Sequence, residues 1–143
     1  YLSPKDYHRV HSPREGRILG WRYRPGNLWP VFPAATRRIR DLFARNERLI
    51  IRLDTSLGEL AYVMVGAFGV GRMRTTFCDL VTNSGLPGGD GVLDPARPIG
   101  RCEELGRFEM GSTVILLFLP GKVAWEVAPD AVVRLGQRIG RGR

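Results

Sequence analysis

Gly106-Arg-Phe-Glu-Met-Gly-Ser-Thr-Val-Ile-Leu-Leu-Phe-Leu119 is the stretch that decides how this chain folds. Its second half, from Val114, is a continuous apolar run of the length of a buried strand and far too short to cross a bilayer. Its first half leads into Gly111-Ser112-Thr113, where a glycine that tolerates strained backbone angles precedes a hydroxyl residue at the strand's start. Taken alone, Gly-Ser-Thr is a common tight turn. A glycine carbonyl followed by serine is also a junction at which a chain can cut itself, because glycine hinders attack by the Ser112 hydroxyl very little. The residues by themselves leave both readings open.

Outward from this run, 18 glycines and 10 prolines divide the chain into short β-like segments. Strands are expected at 17–24, 48–54, 59–65, 70–76 and 112–119. Between 33 and 46, Ala35, Ile39, Leu42 and Phe43 fall near helical spacing, which predicts one short helix over the sheet at about 34–44. The expected fold is mainly β, with short antiparallel strands in a sandwich or partly closed barrel. Residues 82–104, rich in Gly, Pro and Asp without an apolar period, read as a long surface loop. The glycine-spaced tail with Arg138, Arg141 and Arg143 reads as frayed and solvated.

At 143 residues, with 43% hydrophobic and 25% charged, the chain suits one compact domain, 1–143, with a core of its own. Its formal charge of +8 favours an anionic partner: a phospholipid surface, a phosphate-bearing substrate or a nucleic acid. Sparse aromatics and the lack of a recognition motif leave the nucleic-acid reading without support, so no nucleic-acid partner is expected. Cys78 and Cys102 are far apart, outside any Cys-x-x-Cys pair, and indicate neither a zinc site nor a disulfide scaffold. No metal is expected. The chain opens at Tyr1 directly into a motif-like segment and reads as a piece of a longer protein.

That opening segment, Tyr1-Leu-Ser-Pro-Lys-Asp-Tyr-His-Arg-Val-His-Ser-Pro13, holds both histidines of the chain, His8 and His11. Histidine is the side chain best suited to exchange protons near neutral pH, and two of them can divide acid and base roles. Spacing alone favours ordinary surface histidines. The basic stretch Arg37, Arg38, Arg40, Arg45 and Arg48 reads first as a solvated helix face, with phosphate or anionic-lipid contact as its alternative use.

In combination these segments resemble the phosphatidylserine decarboxylase family. Its Tyr-Leu-Ser-Pro-x-Asp-Tyr-His-Arg-x-His-x-Pro stretch matches Tyr1 to Pro13, and its Pro-Gly-x-Leu turn matches Pro25 to Leu28. Its Leu-Phe-x-Arg-Asn-Glu-Arg segment matches Leu42 to Arg48, and Val-Gly-Ala-x-x-Val-Gly matches Val65 to Gly71. Gly-x-Phe-x-x-Gly-Ser-Thr-Val and a Gly-Lys-Val turn follow at Gly106 to Val114 and Pro120 to Val123. Six motifs in order make coincidence improbable. The stretch 84–102 and the tail after Val127 match less well, and nothing functional is carried over there.

The resemblance implies a proenzyme in which the Ser112 hydroxyl attacks the Gly111 carbonyl and converts the amide to an ester. Elimination then yields a β-chain, 1–111, and an α-chain, 112–143, whose first residue becomes a covalent pyruvoyl cofactor. His11 resembles the base that activates Ser112, and His8 the decarboxylation histidine. The acidic partner lies upstream of the Tyr-Leu-Ser-Pro motif in family members, so that role is not transferred to Asp6. The mature enzyme would join the phosphatidylserine amine to the pyruvoyl carbonyl as a Schiff base, release carbon dioxide and leave phosphatidylethanolamine, a step of phospholipid biosynthesis.

Implied partners are the phosphatidylserine substrate, an anionic membrane surface held peripherally, and the other cleavage fragment, with a homodimer allowed. The implied location is the cytoplasmic face of a bacterial-type cell membrane. Two alternatives remain: a decarboxylase of a related serine lipid such as archaetidylserine, and a non-catalytic β-module that binds anionic lipid with Gly111-Ser112 intact.

Overall fold

The computed structural model describes residues 1–68, 71–109 and 112–143. Among them are ten strands and two short helices: β1 (Arg9–His11), β2 (Gly16–Arg24), α1 (Pro33–Arg38), α2 (Leu42–Arg45), β3 (Arg48–Thr55), β4 (Gly58–Gly66), β5 (Met73–Thr75), β6 (Gly89–Ile99), β7 (Glu104–Phe108), β8 (Ser112–Phe118), β9 (Val123–Trp125) and β10 (Gly140–Gly142). The fold is mainly β and antiparallel, as expected, and its sheets do not close into a barrel.

Five strands form the main sheet in the order β6-β2-β3-β4-β8. Its inner face follows from strand parity. Leu49, Ile51 and Leu53 of β3 align with Met64, Tyr62 and Leu60 of β4, which align in turn with Val114, Leu116 and Phe118 of β8. In β2 the inward residues change parity, from Ile18 to Trp21 and Tyr23, because the register shifts between Ile18 and Gly20. The extra residue in that bulge keeps Ile18, Trp21 and Tyr23 opposite Leu53, Ile51 and Leu49.

A second sheet, β1-β7-β5, covers this face and contributes Val10, Leu105, Phe108 and Met73 to the same core. The two layers therefore share one interior, the sandwich arrangement that buries an apolar face on each sheet. Helices α1 and α2 bring Ala35 and Leu42 into a smaller, separate cluster with Val31 and Ala67.

Three expectations are corrected. The single helix is two, because Ile39 leaves helical geometry and Asp41 adopts a left-handed φ of 55°. The segment 82–104 is not one loop, since β6 lies inside it as an eleven-residue edge strand on β2. Edge strands tolerate the prolines and glycines that suggested a loop, and Gly91 is required there because a Cβ would sit 2.4 Å from the Trp21 indole. The tail is tied down rather than frayed: β10 pairs with β9, and Arg138 and Arg141 both donate to the Glu126 carboxylate. Of the strand expected at 70–76, β5 is the part seen, and Val70 lies outside the described residues.

Leu53 is fully buried at the centre of the shared core, where truncation leaves a cavity that the rigid sheet cannot fill. Leu53→Ala is expected to destabilise the fold by about 2–5 kcal/mol, read as a lowered urea midpoint with an unchanged m-value.

Candidate active site

The chain passes from one sheet to the other between Phe108, the last residue of β7, and Ser112, the first of β8. Gly111 belongs to this crossing but lies outside the described residues. Both ends of the crossing are pinned to the histidine-bearing segment. The Phe108 amide donates to the His8 carbonyl at 2.9 Å, and Ser112 and Leu2 exchange backbone hydrogen bonds of 2.8 and 3.2 Å. The sequence motif at 1–13 is thus laid along the predicted junction.

Ser112 sits at the inner end of β8, completely buried, and its Oγ has no hydrogen-bond partner among the described residues. An unpartnered buried hydroxyl costs roughly 1–3 kcal/mol, so its retention at a strand start calls for a use. Its neighbour across the sheet is Gly66 of β4.

The two histidines are held differently. Within β1, Arg9 is exposed and Val10 buried, and just ahead of the strand Tyr7 is exposed while His8 is half-buried. His8 Nδ1 bonds the Asp6 carbonyl at 2.6 Å, which fixes Nδ1 as the donor, while Nε2 is buried and unpartnered. His11 is fully engaged: Nδ1 lies 2.8 Å from the Cys102 carbonyl, and the Tyr7 hydroxyl lies 2.8 Å from Nε2 with the two rings stacked. The structure therefore leaves His8 Nε2 buried and unpartnered, as it leaves Ser112 Oγ. It holds His11 against Tyr7, and no hydrogen bond joins either ring to Ser112 among the described residues. Asp6 caps the turn at Ser3, whose hydroxyl and amide bonds hold its carboxyl below the usual range.

Asn46 and Glu47 were missed by the sequence reading, which took them as part of a basic stretch. Both are buried. Asn46 Nδ2 donates to the Trp29 carbonyl at 2.8 Å and to the Gly66 carbonyl at 3.0 Å, and the Trp29 amide donates to Asn46 Oδ1. The Glu47 carbonyl accepts from the Gly66 amide at 2.8 Å. Its carboxyl packs against Gly71, where an added Cβ would lie 2.6 Å from Oε2, and Oε1 has no partner. Burial raises the Glu47 carboxyl above its ordinary value, offset in part by the Thr82 and Tyr23 hydroxyls. Strand parity carries the signal that finds it, since counting back from the inward Leu53, Ile51 and Leu49 lands on residue 47.

Much of the basic stretch has structural employment. Arg45 lies over the Trp29 ring at 4.3 Å, Arg48 donates to the Ala44 and Asn46 carbonyls, and Arg40 pairs with Asp41. Arg37 and Arg38 close α1, where they complement its carbonyl end.

A family model described as phosphatidylserine decarboxylase matches residues 1–141. The phosphatidylserine decarboxylase proenzyme of Myxococcus xanthus (strain DK1622) is 50% identical over 142 residues, which are 98% of this chain and 51% of that protein. The proenzyme of Anaeromyxobacter sp. (strain K) is 49% identical, again over 98% of this chain and 51% of its own length. That of Nitrosococcus oceani is 41% identical over 99% of this chain and 48% of its own. The chain spans about half the length of the curated relatives it matches. A match over nearly all its residues, with the ordered motifs meeting at one buried serine, makes this chain a member of the phosphatidylserine decarboxylase family.

Proposed function

We propose that residues 1–143 form the catalytic domain of a self-processing decarboxylase of phosphatidylserine, cut between Gly111 and Ser112. The observation that carries the reading is the buried, unpartnered Ser112 hydroxyl at the crossing between two sheets, in a chain whose relatives are named proenzymes.

The Ser112 oxygen attacks the Gly111 carbonyl, the peptide nitrogen leaves as an amine, and an ester links the two halves. Loss of the Ser112 α-proton expels the Gly111 carboxylate and leaves a dehydroalanine on 112–143. Addition of water and release of ammonia convert this residue to a pyruvoyl group.

Burial of Ser112 suits it as the source of this group, since the new carbonyl would be made in a water-poor interior. The pyruvoyl group supplies an electrophilic carbonyl and an electron sink for the bond that loses carbon dioxide. His8 moves a proton in this reading, because the Asp6 carbonyl fixes Nδ1 and leaves the buried Nε2 as the exchanging atom. His11 is the base for the cut in this reading, a role that requires the Tyr7 hydroxyl to release Nε2. The substrate is an anionic phospholipid, and the net charge of +8 favours peripheral contact with an anionic membrane surface. No helix among the described residues is long and apolar enough to cross a membrane. A related serine lipid would use the same chemistry at its head group, and a substrate panel separates the two.

Intact mass under denaturing conditions tests the proposal. Two fragments, 1–111 and a hydrazine-reactive 112–143, are expected, and Ser112→Ala is expected to give one unreactive chain. Uncut wild-type chain, persisting after a relative's upstream half is supplied, would overturn it. A second expectation is that the fragments stay together on a native sizing column, because β8 pairs with β4 over seven residues while β7 is held by β1 and β5.

A further inference from the structure

Continuing the register of β3, β4 and β8 by one residue past Arg48, Val65 and Thr113 puts Glu47, Gly66 and Ser112 in one row across the main sheet. The row lies on the inner face, the same face as Leu49, Met64 and Val114. With strands about 4.8 Å apart, the Glu47 and Ser112 Cα atoms are separated by about 10 Å, with only a glycine between them. Gly66 is the shared member. It is held by the Glu47 carbonyl and the Asn46 amide on one side, and it is the cross-strand neighbour of Ser112 on the other. The inner side of Gly66 is filled by Leu28 and Gly71, whose atoms an added Cβ would meet at 3.2 and 3.3 Å, and Gly71 is in turn packed on the Glu47 carboxyl.

We propose that Glu47 is a positioning residue for the cleavage junction: its buried side chain seats Gly71 over Gly66, and so fixes the backbone against which Ser112 is aligned. The inference deepens the reading above and rests on Ser112 being the reacting residue. A carboxylate cannot fill the place equally well. The groups facing it are Tyr23 from β2, Thr82 from the segment after β5, and Gly71. No Lys, Arg or His pairs with Glu47 among the described residues, so its ionisation would leave an uncompensated charge in the interior. The direction of its titration agrees: folding favours the protonated form, and that advantage is complete below the ordinary carboxylate range and lost as pH rises through the raised value.

Amide hydrogen exchange in a Ser112→Ala background, which keeps every variant uncut, tests this without relying on activity. The quantity read is protection of the Gly66 and residue-112 amides relative to Ile51, followed with pH. With Glu47 present, relative protection is expected to fall roughly tenfold or more as the carboxyl ionises. Glu47→Gln, neutral at every pH, is expected to keep it high and flat, and Glu47→Ala to lower it throughout. Equal pH slopes with Glu and Gln, or full protection in the Ala variant, would overturn the proposal. Should Glu47→Ala fail to fold, the Glu-to-Gln comparison still decides. Failure of the mass assay to show a cut would count against the proposed function and leave this readout standing.

Discussion

Gly66 and Ser112 face each other as the last pair of the β4–β8 ladder, and the organisation of the functional end follows from that pairing. Ser112 opens β8 where the chain has just left the second sheet, so one side of its backbone belongs to the main ladder and the other meets Leu2. Asn46 and Glu47 hold Gly66 from the far side. Residues from four distant parts of the sequence are therefore aligned by main-chain bonds, whose geometry is far less variable than side-chain packing. A side chain at 66 would have to share space with Leu28 and Gly71, which explains why the row passes through a glycine.

The core serves this end by being stiff. Each strand of the main sheet presents inward residues in register with its neighbours, and the bulge in β2 restores that register where parity alone would have turned Trp21 and Tyr23 outward. Interiors packed at crystal-like density resist small displacements. The orphaned atoms of His8, Glu47 and Ser112 are tolerated beside such a core because backbone bonds on both sides keep their positions occupied.

What the sequence disclosed and what it hid divide on physical grounds. Strands β3, β4 and β8 were legible because apolar residues recur at their inward positions, as in Leu49, Ile51 and Leu53 of β3 and Leu60, Tyr62 and Met64 of β4. β6 was not, because an edge strand with one solvated side can be built from Gly, Asp and Pro, and its Gly91 is set by the Trp21 ring rather than by a turn. The break between α1 and α2 depends on a left-handed Asp41, which helical spacing does not register. Strand pairing of the tail was hidden because it depends on contacts between Glu126 and two arginines that are twelve and fifteen residues away. At the site, Ser112 and the histidines were readable from motif and chemistry. Glu47 was masked by the arginines around it, and the engagement of His11 with Tyr7 and Cys102 is a property of the fold alone.

The crossing between the sheets also sets an order of events. Ser112 acquires its neighbours only when β4 has closed on β8 and the amino-terminal segment has returned to lie beside both, contacts that join residues 2, 66 and 112. A nascent chain lacking any of these three strands of contact presents the Gly111–Ser112 bond as ordinary backbone, in water and unaligned. If the chain is cut there, as proposed, that order would make scission a checkpoint on assembly, reached only after the fold that must hold the pieces is complete.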